Sequence, residues 1–68
     1  MRKWGRWRLD DGRLIHTGTG GSVALAQVRT PADIAPAMEV AYNLHAIGPM
    51  DLIHLAAALI EIVGERES

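Results

Sequence analysis

A chain of 68 residues has room for one domain, and a domain of that size buries only about 60% of the surface its unfolded form exposes. At 49% hydrophobic and 22% charged, with a net charge of −1, the composition argues for a folded chain rather than a disordered one. The absence of cysteine excludes disulfides and thiolate zinc sites, so the usual remaining staple for so small a core is a second chain.

The charge is unevenly spread. Residues 1–30 carry Arg2, Lys3, Arg6, Arg8, Arg13 and Arg29 against Asp10 and Asp11, a net +4. Residues 31–68 carry Arg66 against Asp33, Glu39, Asp51, Glu61, Glu65 and Glu67, a net −5. Such a split suits an anionic partner for the first half, contact between unlike halves of neighbouring copies, or simply two solvated faces. The basic start MRKWGRWR lacks the apolar segment of a secretory leader. The longest apolar run is broken by Asp51, His54 and Glu61, too often for a membrane span.

The first predicted element is a hairpin. Segments 4–9 and 13–17 flank Asp11-Gly12, a strong two-residue turn signal. That turn sets Leu9 opposite Leu14, Trp7 opposite His16 and Asp10 opposite Arg13. One face collects Trp7, Leu9, Leu14 and His16; the other collects Trp4, Arg6, Arg8 and Ile15. A flexible Gly18–Gly21 connector leads to a third strand over 22–29. It places Val23 beside His16 and Leu25 beside Leu14, on the same inward face.

Two helices follow. Asp33 as N-cap starts the first at about 34 and leaves Pro36 in the first turn, where no backbone donor is needed. It runs to about 46, with Ile34, Ala37, Met38, Ala41 and Leu44 along one side. Gly48-Pro49 separates it from a second helix over about 49–63. There Leu52, Ile53, Leu55, Ala56, Leu59, Ile60, Ile62 and Val63 cover roughly half the circumference, wider than the stripe of ~100° on an ordinary surface helix. The expected fold is therefore α+β: a three-stranded antiparallel meander followed by a helical hairpin, in one domain over 1–68. The excess apolar surface predicts a homo-oligomer, expected as a dimer, with self-contact through Leu52, Leu55, Leu59, Ile60, Ile62 and Val63.

Chemical signatures are sparse. The TGTGGS run at 17–22 has Val23 where a dinucleotide loop needs glycine, has no following Lys-Ser or Lys-Thr, and leads into a strand; it reads as a hinge. His16 and His45 fall on inward faces, and His54 on the polar strip. No closely spaced ligand pair accompanies them, so core histidines are expected rather than a metal site. Ser22 and Ser68 lack a base-orienting context, and no carboxylate pair marks acid–base work. Neither an enzyme nor a bound cofactor is expected. Cations interleaved with tryptophan near the start make Arg2, Lys3, Trp4, Arg6 and Arg8 candidate nucleic-acid contacts, against the plainer reading of a charged, solvated edge strand.

Two family resemblances extend this reading. Val28-Arg29-Thr30-Pro31 and Asp51-Leu52-Ile53, within residues 24–63, resemble the ribbon–helix–helix family of dimeric DNA-binding regulators. That likeness implies that Leu25, Gln27 and Arg29 project into the DNA major groove and that the second helix forms the dimer core. Pro36, the Gly48-Pro49-Met50 step and the acidic helical half depart from the family pattern. WRLDDGRLIHTGTGGSVALAQV followed by EVAYNLHAI resembles short accessory proteins of bacterial viruses, which implies an accessory role in a host cytoplasm. The leading expectation is a small non-enzymatic binding protein acting on an unidentified protein partner and on itself, in the cytoplasm. The alternative is a DNA-binding regulator. Burial of Leu25 separates the meander, which needs it inside, from the ribbon, which needs it outside.

Overall fold

The computed structural model describes residues 2–45 and 47–67, without the side chains of His45 and Glu67. Four strands form one antiparallel sheet in the order β1 (Lys3–Trp4), β2 (Trp7–Asp10), β3 (Arg13–His16) and β4 (Ser22–Ala24). Two 3-10 turns, Leu25–Gln27 and Pro31–Asp33, lead into α1 (Ile34–His45) and α2 (Pro49–Glu67). The helices cover one face of the sheet. Between them lies a core of Trp7, Leu14, Leu25, Val28, Ala41, Ile47, Leu55, Ala58, Leu59, Ile62 and Val63.

The class is the expected α+β, and the β2–β3 register is the expected one: Trp7 pairs with His16, Leu9 with Leu14, and Asp10 with Arg13. Asp11 and Gly12 both take positive φ, 49° and 76°, as a two-residue hairpin turn matching strand twist requires.

The strand count differs from expectation. Segment 4–9 is not one strand but two, because Gly5 at φ 61° and Arg6 turn the chain back on itself. Trp4 then pairs with Trp7 and Lys3 with Arg8. Glycine is needed at this turn for two reasons. Its φ disfavours a side chain, and a Cβ there would collide with the His54 ring. The fold-back also reverses one face assignment: Trp4 lies inward beside Trp7, packed against the core, not outward with Arg6 and Arg8.

Strand β4 is shorter than the predicted 22–29, and its register is moved by two residues. Val23 pairs with Leu14 rather than His16. The inward face is unchanged because the move is even. The cause is the loop, which closes on His16: His16 N–H donates to Gly21 O and Gly20 N–H to His16 O, both at 2.8 Å. After Ala24 the chain leaves the sheet. Leu25 and Val28 are both buried, although strand alternation would put them on opposite faces. A 3-10 turn resolves the conflict, with Val28 N–H donating to Leu25 O. Leu25 is thus inside, as the meander requires.

Helix α1 starts at Ile34 as expected, with Pro36 in its first turn. Asp33, however, reaches backwards rather than forwards. Its Oδ2 accepts from Arg29 N–H, Thr30 N–H and the Thr30 hydroxyl at 3.0–3.2 Å. Those backbone donors hold the carboxyl below its usual range. Helix α2 continues through Gly64 to Glu67, four residues beyond the predicted end. Its last turn is held from outside. Arg66 Nη1 donates to Leu25 O and Val28 O at 3.0 and 2.9 Å, and Arg2 binds Glu65.

Candidate interaction surfaces

Antiparallel pairing sorts the strand residues into cross-strand rows. Facing the helices are Trp4–Trp7–His16 and Leu9–Leu14–Val23. On the uncovered face are Lys3–Arg8–Ile15–Ser22 and Asp10–Arg13–Ala24. Lys3 and Arg8 therefore stand directly opposite one another, an arrangement that costs stability unless an anion relieves it. Arg8 Nε is buried with no hydrogen-bond partner among the described residues.

The candidate nucleic-acid contacts separate into groups. Lys3 and Arg8 lie on the open face, and Arg6 sits in the adjacent turn. Arg2 and Trp4 are occupied within the chain. Arg2 makes two bonds to Glu65 at 2.6 and 2.7 Å and one to Glu61 at 2.7 Å. Its guanidinium lies 4.9 Å from the Trp4 ring centre, and Trp4 Nε1 donates to Glu61 at 2.7 Å. Both tryptophans thus face inward, and the open sheet face has no indole to stack on a base. Gln27 and Arg29 lie beyond the sheet, in and after the 3-10 turn. Leu25, a groove-reading position under the ribbon resemblance, is buried.

The unlike halves of the sequence do meet, within one chain, where strand β1 is strapped to the last turns of α2. The bonds to Arg2 hold the Glu65 carboxyl below the usual carboxylate range. A carboxyl lowered on folding contributes stability above its unfolded pKa of about 4.3, and that contribution disappears as pH falls through the lower folded value. The expected outcome in acid, below about pH 4, is release of this strap. The Trp4 indole N–H resonance should move there, and Glu65→Gln should remove the pH dependence of that movement. An indole signal that follows only global unfolding would refute it.

Behind the sheet, His16 is buried and connects three elements. Its Nδ1 accepts the Thr19 N–H at 3.0 Å and lies 3.2 Å from the Thr19 hydroxyl. That acceptor role assigns the ring hydrogen to Nε2. Nε2 approaches Asp51 Oδ2 at 3.1 Å but without hydrogen-bond alignment, a close approach of the N–H dipole to the carboxylate rather than a directed bond. Trp7 packs edge-on against the imidazole, centroids 5.0 Å apart, and donates its indole N–H to Asp51 O at 2.8 Å. Hydroxyl, imidazole and carboxylate thus stand in line, yet the imidazole lone pair is already taken by a backbone N–H. The arrangement clamps the β3–β4 loop to the start of α2. Among the described residues no group of three His, Asp or Glu side chains could hold a metal ion; the His45 side chain lies outside that set.

The expected self-contact residues are divided between two sides of α2. Leu55, Leu59, Ile62 and Val63 belong to the chain's own core, Leu52 is half-buried, and Ile60 is exposed. The uncovered side of α2 carries Met50, Ile53, Ala57, Ile60 and Gly64, all exposed. No described helix is long and apolar enough to cross a membrane. Comparison of the chain with protein-family models, with curated proteins and with solved structures found no match.

Proposed function

We propose that the chain is a small non-enzymatic binding protein that works through protein–protein contacts and self-association, with α2 as the self-contact. The observation carrying this is the exposed seam Met50, Ile53, Ala57, Ile60 and Gly64, spaced three, four, three and four residues apart. That is the spacing of a helix-pairing stripe. Met50, Ile53 and Ile60 are 60%, 57% and 61% exposed, so they contribute little to the chain's own core.

The seam also matches itself. In antiparallel packing about Ala57, bulky Met50 meets the hydrogen-only Gly64 of a second copy, and Ile53 meets Ile60. Parallel packing would set glycine on glycine and leave a void. Antiparallel pairing is a two-fold contact, the commonest symmetry for a homodimer. An accessory role, in a host cytoplasm if the chain is viral, fits the resemblance drawn above and the clamped, lone-pair-saturated His16.

Sedimentation at micromolar concentration should show a mass above one chain. Ile53→Glu with Ile60→Glu should return it to a monomer with unchanged far-UV circular dichroism. Each lost aliphatic contact removes about 1.5–3 kcal/mol of burial, so dimerisation should weaken by at least about a hundredfold. A wild-type chain that stays a folded monomer refutes self-association.

The second reading, a DNA-binding regulator, rests on the opposed Lys3–Arg8 pair beside Arg6 and Arg13. Retention on a DNA duplex that weakens steeply with salt would favour it.

A further inference from the structure

The two edges of the sheet are built differently. Edge strand β1 carries Lys3 and is strapped to α2 by the adjacent Arg2, the kind of charge and cover that keeps an edge from pairing. Edge strand β4 has neither. Its ladder to β3 uses alternate residues, with Leu14 opposite Val23 bracketed by His16 N–H to Gly21 O and Leu25 N–H to Gly12 O. Ser22 and Ala24 therefore turn their N–H and C=O groups away from β3. Ala24 C=O opens the 3-10 turn Leu25–Gln27, which leaves Ser22 N–H, Ser22 C=O and Ala24 N–H as the groups the edge offers.

Alongside that edge runs a groove of about 240 Å³ whose far wall is α1. Val23, Val28, Ala37 and Ala41 line its depth, and Val40 and Leu44 form its rim. Val40 and Leu44 are 54% and 71% exposed and lie one helical turn apart. Gln27 and Asp33 also line the groove, with the Asp33 carboxylate already bonded to Arg29 and Thr30 N–H. A free strand edge facing a helix across a slot with an aliphatic floor is the geometry for adding a peptide strand.

We infer that this groove binds an extended peptide segment as a fifth strand, with an aliphatic side chain in the slot and acidic side chains on either side of it. The residue opposite Val23 continues the inward Leu9–Leu14–Val23 row and enters the slot. Its two neighbours continue the outward rows, Lys3–Arg8–Ile15–Ser22 and Asp10–Arg13–Ala24. Those rows hold three cations and one carboxylate. Arg13 already leans over towards β4, its Nη1 3.4 Å from Ser22 Oγ, and Ala24 is too small to block it. Acidic flanking residues are therefore the complement. This inference is independent of the α2 seam, which lies on another element.

The test is an amide-shift titration of the full chain with the capped pentapeptide acetyl-Thr-Glu-Val-Glu-Thr-amide. Ser22, Ala24, Val40 and Leu44 should shift together. Replacing both glutamates by lysine, or Leu44→Asp in the chain, should weaken binding by about tenfold or more. Ala24→Pro is the decisive variant. Ala24 has φ −77°, which proline accepts, and its N–H lies outside the ladder, so the fold should persist while the edge loses a donor. Binding should be lost. N-methylation of the two glutamates blocks antiparallel addition, and N-methylation of the valine blocks parallel addition; one of them should abolish binding. The inference is overturned if millimolar peptide leaves β4 unmoved, or if neither N-methyl peptide is impaired. It is equally overturned if Ala24→Pro abolishes self-association while the wild-type edge ignores the peptide, since a second copy would then be the occupant.

Discussion

Trp7→Ala should leave most of this chain unfolded at room temperature. Trp7 is fully buried, sits at the centre of the inward face, and joins the sheet to the first turn of α2 through its bond to Asp51 O. Truncating a buried tryptophan costs about 3–5 kcal/mol. At the usual ~0.05–0.15 kcal/mol per residue, a chain of this length has only about 3–10 kcal/mol in total. Urea unfolding followed by far-UV circular dichroism should show the cooperative transition lost or moved to very low urea. Trp7→Phe separates the two contributions: it keeps most of the ring and removes the N–H, and should cost about 0.5–1.5 kcal/mol for the lost hydrogen bond, since Asp51 O keeps its bond within the helix. An unchanged midpoint for Trp7→Ala would mean that the sheet and α2 do not pack through this residue.

His16→Leu should be the second most damaging substitution, although leucine is apolar, similar in bulk and directed into a core. It removes the acceptor for Thr19 N–H and takes the imidazole Nε2–H away from the Asp51 carboxylate, whose side chain is 16% exposed. Stranding buried polar groups costs about 1–3 kcal/mol each. The loop Thr17–Gly20 should also loosen, since its closure depends on the imidazole. Hydrogen exchange should therefore speed up at Thr19 more than at Leu14 in the strand itself. His16→Asn, which can accept a hydrogen bond but not reach Asp51, should restore part of the loop protection and little of the stability. If leucine is tolerated without loss, the imidazole is only a space-filler. Trp7 and His16 touch, so their double variant should cost less than the two single losses added.

Much of the fold was legible from local signals. Asp11-Gly12 specified the β2–β3 hairpin down to the residue pairs, because a two-residue turn with positive φ admits one register. The alternation of Trp7, Leu9, Leu14, His16 and Val23 identified the buried face, which survived even the two-residue register error at β4. Gly48-Pro49 marked the helix boundary. Elsewhere the local reading failed where a long-range contact overrode it. Gly5 looked like a residue inside a strand; the fold-back at this position also depends on the His54 ring, 49 positions later, that packs against it. The second helix was expected to end at about residue 63, yet Arg2 and Arg66 hold the turn beyond it.

The same division runs through the candidate surfaces. The sequence alone determined the α+β class, one hairpin register, two helices and an excess of apolar side chains on the second of them. It also established that the two halves carry opposite charge. Only the tertiary structure decided which side of α2 is core and which is free. Both sides are aliphatic, and helical periodicity measures angle, not the direction of the neighbouring sheet. Packing assigned Leu55 and Ile62 to the chain's own core and left Ile53 and Ile60 uncovered. It also joined Arg2 to Glu61 and Glu65, and His16 to Asp51, pairs separated by 35 to 63 positions whose approach no local pattern encodes. Those contacts tied Arg2 and Trp4 to α2 within the chain. They left the β4 edge as the one side of the sheet with neither charge nor cover among the described residues.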